Sequence, residues 1–170
     1  NDDGLLPAEL LNRRGDSIIF ARNEAFAIAR KLGLRYFIEL DDDYNNFEYL
    51  AETGQKLKHT KIKQIEKVFE AMIAFLDASN AKSVAMAQGG DLLGGVKDPR
   101  WKEQLLRKTM NSFIFRTDNP LNFVGRINED VNTYVTGGQC GELFFTTLKV
   151  MLNQEQTQKA KGGMSGNYLD

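Results

Sequence analysis

Along residues 16–33 the apolar positions recur at helical spacing, with Ile18, Ala21, Ala25, Ile28, Ala29 and Leu32 on one face. Asp16 or Ser17 is placed to cap this helix, and Gly33 to end it. A short turn around Pro7–Leu11 precedes it. Arg35–Leu40 is compact, aromatic and β-branched, and reads as a buried strand running straight into Asp41-Asp42-Asp43. A charged stretch, Gln55–Lys63, leads into a second helix over about Lys61–Leu76, with Ile62, Ile65, Phe69, Met72 and Leu76 inward. Ser83–Ala87 reads as a strand closed by Gln88-Gly89-Gly90-Asp91, and Gly94-Gly95 and Asp98-Pro99 mark a loop. Asn111–Thr117 is a further strand, Phe123–Arg126 a weaker one, and Asn128-Glu129-Asp130 opens a helical turn. Leu143–Leu152 is a strand or mixed element, followed by a polar, Gly-rich loop. The pattern predicts one α/β domain with a mixed sheet over residues 1–170.

Composition narrows the class. The 170 residues are 42% hydrophobic and 26% charged, with net charge −1 and pI near 6.0. These values fit a soluble globular domain and give no support to non-specific coating of nucleic acid. No apolar run reaches the length of a membrane span, and Asn1-Asp2-Asp3-Gly4 does not open a signal peptide. The single Cys140, read as structural, cannot form an internal disulfide, so a reducing cytoplasm is expected. His59 is the only histidine and is read as a surface residue, which removes any zinc site built on several histidines. With no initiator methionine and a Gly-rich stretch just before Asp170, the sequence is expected to be incomplete at both ends.

The acidic cluster changes the picture most. Three adjacent carboxylates repel one another, and burial without a cation raises their pKa values. In an extended segment Asp41 and Asp43 share a side while Asp42 points away. The pair then offers two hard oxygen ligands to Mg²⁺ or Mn²⁺, with water and substrate phosphate completing the shell. An isolated acidic triplet is more often a solvated turn. Its place at the end of a buried strand favours a ligand site.

Phe20-Ala21-Arg22-Asn23-Glu24-Ala25-Phe26, the helix it belongs to, and Tyr36–Asp43 together resemble the core of family-2-like GT-A glycosyltransferases. Gly125-Arg126-Ile127-Asn128-Glu129-Asp130 is similar to the element carrying the catalytic base of the inverting members. With Arg14-Gly15 and Leu143-Phe144-Phe145-Thr146, the combination resembles the TET/JBP-associated glycosyltransferases of bacteriophages. The resemblance implies a GT-A, Rossmann-like α/β fold. It implies transfer of a hexose from a UDP-sugar, with Mn²⁺ or Mg²⁺, to a hydroxyl such as that of a 5-hydroxymethylpyrimidine in DNA, with inversion. It assigns Asp41 and Asp43 to the metal, and Arg22, Asn23, Arg14, Asp41 and Asp42 to the nucleotide-sugar. It implies Asp130 as the general base, with Glu129 the alternative; from the residues alone Asn128-Glu129-Asp130 reads as the cap of a helical turn. The first GT-A strand is expected before Asn1, and the histidine that often completes the metal shell is absent.

Two other classes stay open from the residues: a nucleotidyltransferase gripping an NTP–metal complex, and a non-catalytic sugar-nucleotide-binding module. Arg13-Arg14-Gly15 before a helix is an anion site or, equally, a solvated basic turn. Lys56, Lys58, Lys61, Lys63 and Lys67 around His59 form one basic group. Lys97, Arg100, Lys102, Arg107 and Lys108 form a second, with Trp101 available to stack on a base or sugar. For either group alone, a solvated charged face is the preferred reading. Gln88–Asp91 shapes an acceptor pocket or is a plain turn.

Overall fold

The computed structural model describes residues 17–88, 90–92, 94–104, 107–125 and 128–154. The expected turn at Pro7–Leu11, Arg13, Arg14, Gly15, Asp16, Gly89, Arg126, Ile127 and the Gly-rich end lie outside the described residues. The order is α1 (Ser17–Lys31), β1 (Tyr36–Leu40), β2 (Tyr44–Thr53), β3 (Lys56–Lys61), α2 (Ile65–Ser79) and β4 (Ser83–Gln88). Two 3₁₀ turns at Gly95–Lys97 and Pro99–Trp101 follow, then β5 (Ser112–Arg116), α3 (Glu129–Gln139) and β6 (Phe144–Gln154). Among the described residues, no helix is long and apolar enough to cross a membrane.

The sheet runs β1-β5-β4-β6-β2-β3, and only β4–β6 is parallel. The domain is therefore mixed α/β, as the pattern predicts. Strand alternation divides its two faces. Phe37, Phe113 and Phe115 point to α1 and meet Phe26 and Phe123, whereas Ile38, Ile114, Val84 and Met86 face Val68, Met72 and Leu76 of α2 or pack beside them. The aromatic side is tightly interlocked: Phe26 sits edge-on to Phe37 at 4.8 Å, and Phe113 stacks on Phe115 at 5.5 Å.

The inner face of α1 is rotated from the one its spacing suggests. Arg22, Phe26 and Ala29 are buried, with Ile19 beside them, while Ile28 is 54% and Leu32 66% exposed. Two forces turn the helix. Phe26 fills the aromatic cluster, and Arg22 is drawn inward by carboxylates on neighbouring elements.

The β2–β3 hairpin overturns the reading of Gln55–Lys63 as a charged lead into a helix. Thr53 pairs with Lys56 across a two-residue link in which Gly54 adopts φ 62°, a conformation glycine enters without a Cβ clash. Helix α2 consequently starts at Ile65 rather than near Lys61. Strand β3 is an edge, and its exposed lysines discourage further strand pairing. Phe123–Arg126 supplies no strand among its described residues, and the turn opened by Asn128 continues into the eleven-residue α3.

Residues 41–43 link β1 to β2, which are separated by three strands. Four inter-strand steps amount to about 19 Å in a flat sheet. Four residue steps reach at most about 14 Å. The sheet must curl, and β6 lets it do so. Between the pairs Ala85↔Thr146 and Ala87↔Met151, β4 advances two residues and β6 five, a bulge that bends β6 before Met151 and Leu152 pair with β4 on one side and β2 on the other.

Phe115 lies at the centre of the aromatic cluster and is wholly buried. Phe115→Ala is expected to lower unfolding free energy by about 3–5 kcal/mol in a urea titration.

Candidate functional site

The polar centre is built around Arg22, which is 7% exposed. Its Nη2 donates to Asp41 Oδ1 at 2.8 Å, Nε to Glu129 Oε1 at 3.2 Å, and Nη1 to Glu39 Oε2 at 3.4 Å. The rings of Phe113 and Phe123 lie 5.2 and 5.3 Å from the guanidinium carbon. Residues from α1, β1, the acidic turn and the first turn of α3 thus share one cation. Asn23, the next residue of α1, clasps the backbone of Phe123: its Nδ2 donates to the carbonyl at 3.1 Å and its Oδ1 accepts the amide at 2.7 Å. Thr133 Oγ1 accepts the Val124 amide at 3.0 Å, fixing the same loop to α3. Gly125, at φ 94°, allows close approach there, since a Cβ would lie 2.2 Å from Asn132 Nδ2.

Asp41–Asp43 form a turn rather than an extension of β1. Asp41 and Asp43 are nonetheless half-buried and Asp42 exposed. The Asp41 amide donates to the Asn111 carbonyl at 3.1 Å. Asn111 Nδ2 donates to Gln154 Oε1 at 2.6 Å, and Gln154 Nε2 to Asp43 Oδ1 at 2.8 Å. Asn111 holds φ 60° to do this, a conformation asparagine tolerates better than most residues. The turn forms one wall of an open groove of about 530 Å³, whose other wall is Ile18, Ala21, Arg22 and Ala25 of α1. Part of the apolar stripe expected in the core therefore lines this groove.

Carboxylates outnumber the cation. Burial pushes Glu39 up to about 7, more than the Arg22 charge and hydrogen bond draw it down. Burial also raises Asp41 against the opposing pull of Arg22, and raises Asp130, where the Val131 amide opposes and the Glu129 charge assists. Arg22 is lowered by burial, but the charges of Asp41, Glu39 and Glu129 outweigh this and hold it above its ordinary value. Asp130 Oδ1 accepts the Val131 amide at 2.7 Å, so it serves the first turn of its own helix, where negative charge is favoured.

The structure brings Arg22, Asp41 and Glu129 together, places Asp130 beside them and ties Asp43 to β6; Arg14 lies outside the described residues. Asn23 is occupied by the Phe123 loop. Glu39, Asn111 and Gln154 are the positioning residues that sequence reasoning missed. Glu39 alone carried a signal, as a charge inside an apolar strand. Trp101 is not available for stacking: it is 3% exposed and its indole donates to Glu52, which also pairs with Lys102. His59 pairs with Glu48 at 2.8 Å, the lysines of β3 are exposed, and Cys140 is an exposed free thiol.

The carboxylates gather at one end of the sheet, where β1 and β6 finish and β5 begins. Residues 6–163 match the family model described as TET-Associated Glycosyltransferase. The chain belongs to that family and is a glycosyltransferase. No curated protein and no solved structure matches it.

Two outcomes follow from the buried charges. Arg22→Met strands carboxylates without their partner and is expected to lower stability by about 3–5 kcal/mol in denaturant titration. Glu39 has a folded-state pKa above its unfolded value of 4.5, so its contribution is present below pH 4.5 and lost as pH rises through about 7. Stability in EDTA is expected to fall across that window, by an amount on the order of 3 kcal/mol. Glu39→Gln should flatten this slope in thermal melts at several pH values.

Proposed function

We propose that this protein is a metal-dependent GT-A glycosyltransferase that moves a hexose from a UDP-sugar to the hydroxyl of a 5-hydroxymethylpyrimidine in DNA, with inversion. One observation carries the reading: Arg22 binds both Asp41, beyond β1, and Glu129, at the start of α3. The acidic turn assigned to the donor and the helix assigned to the base are therefore joined at Arg22. The GT-A assignment is supported by the succession of α1, β1 and the acidic turn, and by helices on both faces of a mixed sheet.

The acidic turn suits a hard divalent cation. Asp41 and Asp43 each give one oxygen to a protein hydrogen bond and keep the other unbonded among the described residues. Glu39 Oε1 is buried without a hydrogen-bond partner, a further mark of unbalanced negative charge. Asp41 and Asp43 would hold Mn²⁺ or Mg²⁺. No group of three or more such ligands converges among the described residues, so diphosphate and water oxygens would fill the remaining positions. When bound, the cation offsets charge developing on the departing diphosphate.

Asp130 acts as general base. It takes the proton of the acceptor hydroxyl as that oxygen bonds to the anomeric carbon; the bond from that carbon to the diphosphate oxygen breaks on the opposite face, and UDP leaves. Burial raises the pKa of Asp130, which strengthens it as a base. Glu129 is bound to Arg22, which makes it the weaker candidate. Arg22 and Asn23 work here by holding Asp41 and the Phe123 loop. Arg14 and Asp42 remain the proposed further contacts to the nucleotide-sugar.

UDP release is expected to require both hydroxymethylated DNA and Mn²⁺ or Mg²⁺. Asp130→Asn should lower kcat by at least about a hundredfold while leaving UDP affinity unchanged. Full turnover by the Asp41→Ala, Asp43→Ala double variant would overturn the assignment.

A further inference from the structure

Among the described residues, the buried side-chain nitrogens without a hydrogen-bond partner are Gln88 Nε2, Arg107 Nε and Arg107 Nη2. Buried donors are nearly always satisfied, and each exception requires an explanation. Arg107 is the more telling. Its Nε and Nη2 form the edge of the guanidinium that grips an oxyanion with two parallel hydrogen bonds. Two other arginines use this edge fully. Arg100 spans both oxygens of Asp98 at 2.9 and 2.6 Å, and Arg116 spans both of Asp118 at 2.8 Å. In Arg107 the same edge is buried and empty. Burial lowers its pKa, and the charges of Asp91 and Asp98 offset this only in part.

Its setting is fixed. The carbonyl of the next residue, Lys108, accepts from Thr146 Oγ1 of β6 at 2.7 Å. Asp91 Oδ2 accepts the Gln88 amide at 3.3 Å and acts electrostatically on Arg107. Gln88 ends β4 and stands on the wall of a pocket of about 400 Å³ that Lys56 and His59 also line. Arg107 precedes Asn111, whose carbonyl anchors the acidic turn. Both orphan donors thus belong to the chain segments at the carboxyl end of β4 and the entry to β5, apart from the Arg22 cluster.

We propose that Arg107 and Gln88 form a second anion site, which takes a phosphate group. Arg107 supplies the two-pronged grip and Gln88 Nε2 a third donor. Two sources carry this chemistry: the diphosphate of a nucleotide-sugar and the backbone phosphate of a nucleic-acid acceptor. Only the choice between these sources rests on the glycosyltransfer reading.

The full chain and its Arg107→Met, Arg107→Lys and Gln88→Leu variants would be titrated calorimetrically with inorganic pyrophosphate and with UDP. In parallel, fluorescence anisotropy would follow a labelled oligonucleotide lacking hydroxymethylated bases, across a salt series. Arg107→Met is expected to weaken one probe class by about tenfold or more, the worth of charge-assisted hydrogen bonds. Arg107→Lys should recover part of the loss, because an ammonium keeps the charge but not the fork. Gln88→Leu should weaken the same probe. Loss of pyrophosphate and UDP binding assigns the donor, and loss of oligonucleotide binding assigns the acceptor. Thermal melts supply the second readout. Removing a buried, unpaired donor is expected to leave Tm unchanged or raise it, whereas a structural arginine would lower it. Unaltered affinity for every probe, a fall in Tm with Arg107→Met, or wild-type protein binding no probe would overturn the site. None of these readouts needs sugar transfer, so failure of the phosphate site is distinguishable from failure of the proposed reaction.

Discussion

The buried guanidinium of Arg22 holds the acidic end of this domain together. Arg22 sits between two phenylalanine rings and donates to three carboxylates from separate elements. Such a cation is expensive to desolvate, and a single acidic partner would scarcely compensate it. Three partners do, and the balance then tips to negative excess. The arginine orients α1, the end of β1 and the start of α3 relative to one another. The Asn23 clasp secures the loop that covers it. Adjacent residues on one helix therefore perform two linked tasks, gathering charge and closing the backbone over the gathering point.

The curled sheet is the second constraint, and it follows from a short connection. Three residues cannot bridge β1 to β2 across a flat sheet, so the strands between them bend toward the acidic turn. Asn111 and Gln154 then reach this turn from the entry to β5 and the exit of β6, joined by their own amide hydrogen bond. The conformation of Asp41–Asp43 is consequently set by the whole sheet rather than by local preference. A change in β6 far along the chain from the acidic residues can reorient them.

Much of this was legible in the sequence where local pattern and tertiary contact agree. Helix α1 and strands β1, β4 and β5 follow from apolar runs and their punctuation, as does the place of the acidic triplet after β1, though not its turn; Phe20–Asn23 with Glu129-Asp130 carried the family resemblance. The rest was not legible, for identifiable reasons. Ala21, Ala25, Ile28 and Leu32 are as helical in spacing as Arg22, Phe26 and Ala29, and tertiary contacts decide which stripe turns inward: the aromatic cluster around Phe26 and the carboxylates around Arg22. Lys56–Lys61 lacks apolar alternation because it is an edge strand, so its charges concealed a hairpin that Gly54 alone announced. Trp101 reads as a stacking surface among basic residues, yet Glu52, far away in sequence, satisfies its indole in the interior. Asn111 and Gln154 act through pairings that no local window contains.

The unsatisfied groups form a pattern of their own. At the end of β1, the Arg22 cluster keeps more carboxylate than its cation balances, including a buried Glu39 oxygen with no hydrogen-bond partner. Ahead of β5, Arg107 keeps a buried donor edge without an acceptor. Folding alone would select against both, since each is a desolvated group with no compensating bond. Asn111 anchors the acidic turn beside one group, and Thr146 anchors the backbone beside the other. A ligand complex carrying both a cation and phosphate would satisfy the two at once. On the proposed reading, the domain gives up some stability to keep these opposite charges apart, and the bound substrates return it.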